Sequence, residues 1–188
     1  MALTTTVKKT GVSGDLRYFV ADVTFDSSYA TGGMSLTGSS LGFPGSTVQW
    51  LVGVGTQGYD LRYNYSTSKL MVFAPVVKMT GTLDPASLNA VTARDDAVTV
   101  TGVASTDEVV GFRGPDALES KYIAKGARAS ATDTITLRAD NPSAASIDPA
   151  SGTYTFYVSG ANNASKEVPS GTNLSTVTVR VFGFLTGV

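Results

Sequence analysis

Apolar and polar residues alternate with a period of two along much of this chain, and that period commits it to strands. In residues 16–25, Phe19, Ala21, Val23 and Phe25 fall on one face and Tyr18, Val20, Asp22 and Thr24 on the other; the first set is the expected core face. In residues 174–184, Ser175, Val177, Val179, Val181 and Gly183 alternate with Leu174, Thr176, Thr178, Arg180 and Phe182. The clearest hairpin joins 59–65 to 69–74 through Ser66, Thr67 and Ser68, and 48–54 is an apolar strand. Further strands are expected over 97–103, 108–113, 121–129, 132–139 and 153–160. Gly114-Pro115-Asp116, Asn141-Pro142 and the run 148–152 supply turns. Single helical turns are expected at 37–41 and 117–120, and looser chain over 76–93. Short strands with regular turn signals predict an all-β chain of β-sandwich or jelly-roll type.

The composition agrees with strands and turns. Charged residues are 15%, against about 25% in ordinary soluble domains. Ser, Thr, Asn and Gly must therefore supply the polar surface, and these residues favour sheets and turns over helices. The formal net charge is −1 with no basic run, so phosphate neutralisation and nucleic-acid binding are not expected. No apolar stretch reaches the length of a membrane-spanning helix, and no secretory signal pattern is expected at the start.

The chain has no histidine and no cysteine. Ser-His-Asp and Cys-His nucleophile systems, an imidazole base, disulfides and ordinary zinc sites are thereby excluded. The motifs that imitate catalytic or cofactor sites fail on context. Gly53, Gly55 and Gly58 match G-x-G-x-x-G after a strand, but the next residues, 59–63, have a strand pattern where a dinucleotide site needs a helix. Gly38, Ser40 and Gly42 match the nucleophile elbow without a histidine to serve Ser40. Ser66 and Lys69 lie on a hairpin turn, the wrong place for a Ser-Lys dyad. Asp95-Asp96 and Asp107-Glu108 are adjacent pairs whose members point apart on a strand, whereas Asp22 and Asp26 share a face only if their strand runs on. Solvated turns are the expected role of these carboxylates. Oxygen-only Ca²⁺ binding is left open, with no EF-hand or repeat signature behind it. The sequons at Asn64, Asn163 and Asn173 are chance matches in a Ser/Thr-rich chain. Tyr18, Tyr59, Tyr63 and Tyr65 are candidates for a sugar platform but more simply a half-buried sheet face, and Trp50 is expected in the core with Val48 and Val52. No enzyme activity, cofactor or metal is expected.

The strand at 174–184 has the character of the first group of strands although a second group intervenes. The expected organisation is therefore nested. An outer β-sandwich or jelly-roll-like domain comprises 1–78 and 163–188, and a smaller inserted β-sandwich comprises 79–162. The first fourteen residues are polar and are expected to form an extended arm. Thr4, Thr5, Thr6, Val7, Lys8, Lys9 and Thr10 have no apolar face of their own, so they are the candidate contacts to a neighbouring subunit or a larger assembly.

Several segments resemble those of small structural proteins of tailed-phage virions. They are Ala21-Asp-Val-Thr-Phe-Asp-Ser-Ser-Tyr-Ala-Thr-Gly-Gly33 with Ser35, Leu36, Thr37, Leu41 and Gly42; Gly58-Tyr-Asp-Leu-Arg-Tyr-Asn-Tyr65 with Ser68, Lys69 and Leu70; and the closing run Glu167-Val-Pro-Ser-Gly-Thr-Asn-Leu-Ser-Thr-Val-Thr-Val-Arg-Val181. The intervening segment resembles a second phage module at 98–103, 126–130, 133–137 and 147–156. Met34 departs from the pattern, where a more polar loop residue is expected. The resemblance implies a capsid decoration, or cement, protein: a virion component that binds the major capsid protein on the capsid exterior and acts as a homo-oligomer, with a trimer as first choice. The alternative is a receptor- or carbohydrate-binding protein of the tail or a spike.

Overall fold

The structure is a computed structural model that describes residues 3–54, 57–115 and 123–186. It is all-β, with strands β1 (Thr4–Ser13), β2 (Leu16–Thr24), β3 (Met34–Ser35), β4 (Thr47–Val54), β5 (Asp60–Asn64), β6 (Lys69–Ala74) and β7 (Val77–Leu83). They are followed by β8 (Thr92–Thr99), β9 (Glu108–Arg113), β10 (Ile123–Ala131), β11 (Thr134–Asn141), β12 (Gly152–Ser159), β13 (Lys166–Glu167) and β14 (Thr178–Thr186). Ser39–Leu41 and Ala161–Asn163 are single 3₁₀ turns. The expected helical turn at 117–120, part of the turn at 114–116 and the start of the strand expected at 121–129 lie outside the described residues. Among the described residues no helix is long and apolar enough to cross a membrane.

The chain separates into two compact units, Met1–Ala74 with Glu167–Val188, and Pro75–Lys166. The expected boundaries at 78/79 and 162/163 fall a few residues inside the second unit. In the first unit an antiparallel sheet runs β1-β2-β14-β4, and a second runs β13-β6-β3 with β5 also on β6. Period two decides which residues go inside. Phe19, Ala21 and Val23 of β2, and Val179, Val181 and Leu185 of β14, are buried, as are Leu70, Val72 and Ala74 of β6. Burying a Val, Leu or Phe side chain contributes about 1.5–3 kcal/mol each, so these faces outweigh any single polar contact in the unit.

The second unit has two antiparallel sheets, β10-β11-β8 and β7-β12-β9. Ile135, Leu137, Ala139, Tyr154, Phe156 and Val158 are buried. Asn141, 1% exposed, organises one end. Its amide nitrogen donates to the carbonyls of Leu88, Asn89 and Ala145, and its Oδ1 accepts from the amide and hydroxyl of Ser143. A buried amide saturated in this way incurs no penalty for an unmade bond.

Two expectations are corrected. Residues 4–13 are not a free arm; they pair along β2, joined by the two-residue turn Gly14-Asp15 with Gly14 at φ +61°. Backbone hydrogen bonds hold β1 there, which is why a strand with almost no buried side chain is ordered by its own sheet. Trp50 is not in the core. A bulge between the pairs Phe184–Trp50 and Leu185–Val48 shifts the parity of β4. Val48 is then buried while Trp50 is 46% exposed.

Candidate binding face

The outer face of the β1-β2-β14-β4 sheet gathers four aromatic rings, one exposed and three half-buried. Residues directly opposite in register lie on the same face of a sheet. Three rows therefore cross it: Gly11-Tyr18-Phe184-Trp50, Lys9-Val20-Phe182-Val52 and Thr6-Asp22-Arg180-Val54. Trp50 is 46% exposed, Val52 40% and Val54 59%, and Tyr18, Val20, Phe182 and Phe184 are half-buried. The rings pack on one another. Trp50 meets Phe182 edge-on at 5.8 Å and lies 5.9 Å from Phe184, and Phe182 meets Phe184 edge-on at 5.4 Å. Tyr18 is 6.4 Å from Phe182. A Cβ on Gly11 would overlap the Tyr18 ring, so that ring lies across the bare backbone of β1.

The other end is polar. Arg180 grips Asp22 with two nitrogens at 2.8 and 3.2 Å, and Lys8 reaches the same carboxylate at 3.4 Å. The hydrogen bond from Arg180 is the main reason the Asp22 carboxyl titrates below its ordinary range, and Lys8 adds to it. Beyond them the hydroxyls of Thr24 and Thr178 meet at 2.9 Å. The face thus grades from aromatic to ionic along the strands, with charges of both signs in one row.

The candidate contact residues divide between the two sides of β1. Thr4, Thr6 and Lys9 share the outer face with Thr24, Asp22 and Val20, while Thr5, Val7 and Thr10 pair with inward-pointing Val23, Ala21 and Phe19. Lys8 sits in a bulge between Val7 and Lys9. The Thr5 hydroxyl is engaged within the unit, donating to the Ser40 carbonyl at 2.5 Å. The tyrosines do not form one platform. Tyr63 and Tyr65 meet edge-on at 4.9 Å, away from Tyr18, and the Tyr63 hydroxyl donates to the Leu36 carbonyl.

The catalytic look-alikes resolve into structural contacts. Ser40 exchanges hydrogen bonds with Thr37 around the 3₁₀ turn. Asp26 accepts from the Ser27 amide at 2.6 Å just past the end of β2. Asp95 pairs with Arg138, and Asp96 with Arg94. Asp107, its side chain 6% exposed, is held by Lys166 at 2.6 Å, and Glu108 accepts from the Asn162 amide. Asn64 and Asn173 cap turns through their side-chain oxygens. Gly55 and Thr56 of the glycine motif lie outside the described residues. Among the described residues no three acidic side chains gather where a metal ion would bind.

No protein-family model, curated protein or solved structure matches this chain.

Behind the face, three segments of the first unit that are distant in sequence are tied together at Tyr29. Its ring is fully buried. Its hydroxyl donates to Glu167 Oε1 at 2.7 Å and accepts from the Val72 amide at 3.0 Å. Its own amide donates to the Thr172 carbonyl, and its carbonyl accepts from the Gly171 amide. Glu167 Oε1 also accepts from the Gly32 amide at 2.6 Å. Burial, assisted by the carboxylate, pushes the Tyr29 hydroxyl well above its ordinary value.

Proposed function

We propose that this chain is a structural virion protein that decorates the exterior of a tailed-phage capsid and stabilises it by bridging capsid subunits. The observation that carries the reading is the exposed outer face of the β1-β2-β14-β4 sheet. A contiguous apolar patch with half-exposed rings is costly to leave in water and marks a surface made to be covered by protein. The edge strand β1 borders that face and presents Thr4, Thr6 and Lys9 beside it. The resemblance to virion proteins supports the same reading, and its first and closing segments meet at one buried tyrosine. Low charge suits contacts built on shape and apolar area, with weak salt dependence. On this reading the partners are the major capsid protein and further copies of the chain, and the site of action is the capsid surface. Neither a cofactor nor a chemical step enters.

A second reading has its own observation. Trp50 and Tyr18 lie on the same face as the ionic pair Asp22–Arg180, and stacking rings beside hydrogen-bonding groups also suit a sugar. That is the receptor- or carbohydrate-binding tail or spike protein. Copy number separates the two. A gel-band ratio to the major capsid protein giving on the order of hundreds of copies per particle supports decoration. A ratio giving only a few to some tens supports the tail or spike.

A further inference from the structure

Resting on the reading of this face as a surface made to be covered by protein, we propose that its occupant is a second copy of the chain, which leaves the free edge of β1 for the capsid. The two copies pair face to face about a two-fold axis parallel to the strands, between β2 and β14. The register makes the face complementary to itself under that operation, because the axis reverses each cross-strand row. Gly11, the smallest residue of its row, meets the partner's Trp50, the largest. The Tyr18 ring that covers Gly11 gives the incoming indole a flat aromatic surface. Tyr18 meets the partner's Phe184, and Val20 the partner's Phe182. Asp22 meets the partner's Arg180, and Arg180 the partner's Asp22. Large thus faces small, ring faces ring and acid faces base, as an isologous interface requires. Strands of the two copies share one axis, facing strands running in opposite directions, within the about 30° that twist imposes on aligned sheets.

The size of the face fits a reversible pair. Four strands about 4.8 Å apart, about nine residues long at about 3.3 Å each, give a face of about 570 Å². Two such faces bury about 1,100 Å², just above the roughly 1,000 Å² at which specific interfaces begin. A net charge of −1 sets no long-range repulsion between copies. Alternative occupants fit less well: a polyanion would need more than Lys8, Lys9 and Arg180, and a lone sugar would leave most of the aromatic surface uncovered.

Sedimentation equilibrium on the full chain from about 1 to about 200 µM tests the pairing. The wild type should pass from monomer to dimer, and its indole emission should shift to the blue as pairing covers Trp50. Trp50→Ala changes an exposed side chain, so circular dichroism should stay native. It should weaken pairing at least about thirtyfold, the loss of one large aromatic contact. The charge row gives a sharper test of the axis. Asp22→Arg makes the row wholly basic, and Arg180→Glu makes it wholly acidic. Each variant alone should be monomeric, and an equimolar mixture should form a heterodimer. Rescue in the mixture cannot come from folding, since each chain keeps its own substitution. A wild type monomeric throughout, variants as dimeric as wild type, or a mixture without rescue would each overturn the pairing. A monomeric wild type that still binds capsids would sink the dimer and leave the decoration reading intact. A two-fold dimer that ignores capsids would do the opposite.

Discussion

Replacing Tyr29 by Phe removes one oxygen from the point where three distant segments of the first unit meet. The ring is fully buried and stays in place, so no cavity term arises. What is lost is the donor to Glu167 and the acceptor for the Val72 amide. An amide left buried without a partner costs about 1–3 kcal/mol, and a hydrogen bond to a charged group contributes about 1.5–3 kcal/mol. Glu167 keeps the Gly32 amide, which puts the second loss at the low end. The expected destabilisation is about 3 kcal/mol. The chain has a single tryptophan, Trp50, and it belongs to the first unit. Indole fluorescence during urea unfolding therefore reports that unit alone. With a slope of about 1–3 kcal/mol per M, the midpoint should fall by about 1–3 M. Alkali supplies a second readout. Burial raises the Tyr29 hydroxyl above its ordinary pKa of about 10, so the folded unit holds this proton more tightly than the unfolded chain. That contribution is complete below about pH 10 and declines as pH rises further. Tyr29→Phe should remove this part of the alkaline decline. A midpoint within about 0.3 M of wild type together with an unchanged alkaline limb would refute the claim that Tyr29 closes the unit.

Two further substitutions probe the second unit. Val91 is a β-branched residue at φ +52° with 75% of its surface exposed; Val91→Asn, which tolerates that conformation, should raise thermal stability by about 1 kcal/mol, and calorimetry showing a loss would contradict the assigned strain. Lys166→Met takes the ammonium from the nearly buried Asp107 carboxylate, which keeps the Ala104 amide, and should cost about 3 kcal/mol, seen in the calorimetric transition of the second unit.

The strands were legible where burial alternates. The hairpin of β5 and β6 and the inward set Val177, Val179 and Val181 follow directly from period two. β7 alternates just as regularly, buried at Val77, Met79, Gly81 and Leu83. Its Gly81 and flanking turn residues disguise it as loose chain. The β1–β2 hairpin was hidden for a different reason. Almost nothing on β1 is buried, so periodicity has no signal there, and only Gly14-Asp15 announces a two-residue turn. Trp50 was misplaced because a bulge changes parity without leaving a mark in the sequence. The candidate face could not be read at all from local pattern. It depends on β14 entering between β2 and β4, which brings Arg180 to Asp22 from 158 positions away. Such long-range pairing is fixed by packing of the whole unit rather than by any local run of residues.

The proposal of capsid decoration is tested most directly by co-sedimentation of the purified chain with assembled tailed-phage capsids and, separately, with free capsid protein. Wild type should pellet with the assembled particle at a fixed, saturable ratio and leave the free protein alone, because a bridging site exists only where subunits meet. The ratio should hold across a range of salt, given contacts that do not rest on net charge. Decorated particles should also withstand heating that ruptures bare ones. Absence from the capsid pellet, equal thermal stability of the two particles and saturable binding to a host glycan would contradict the account.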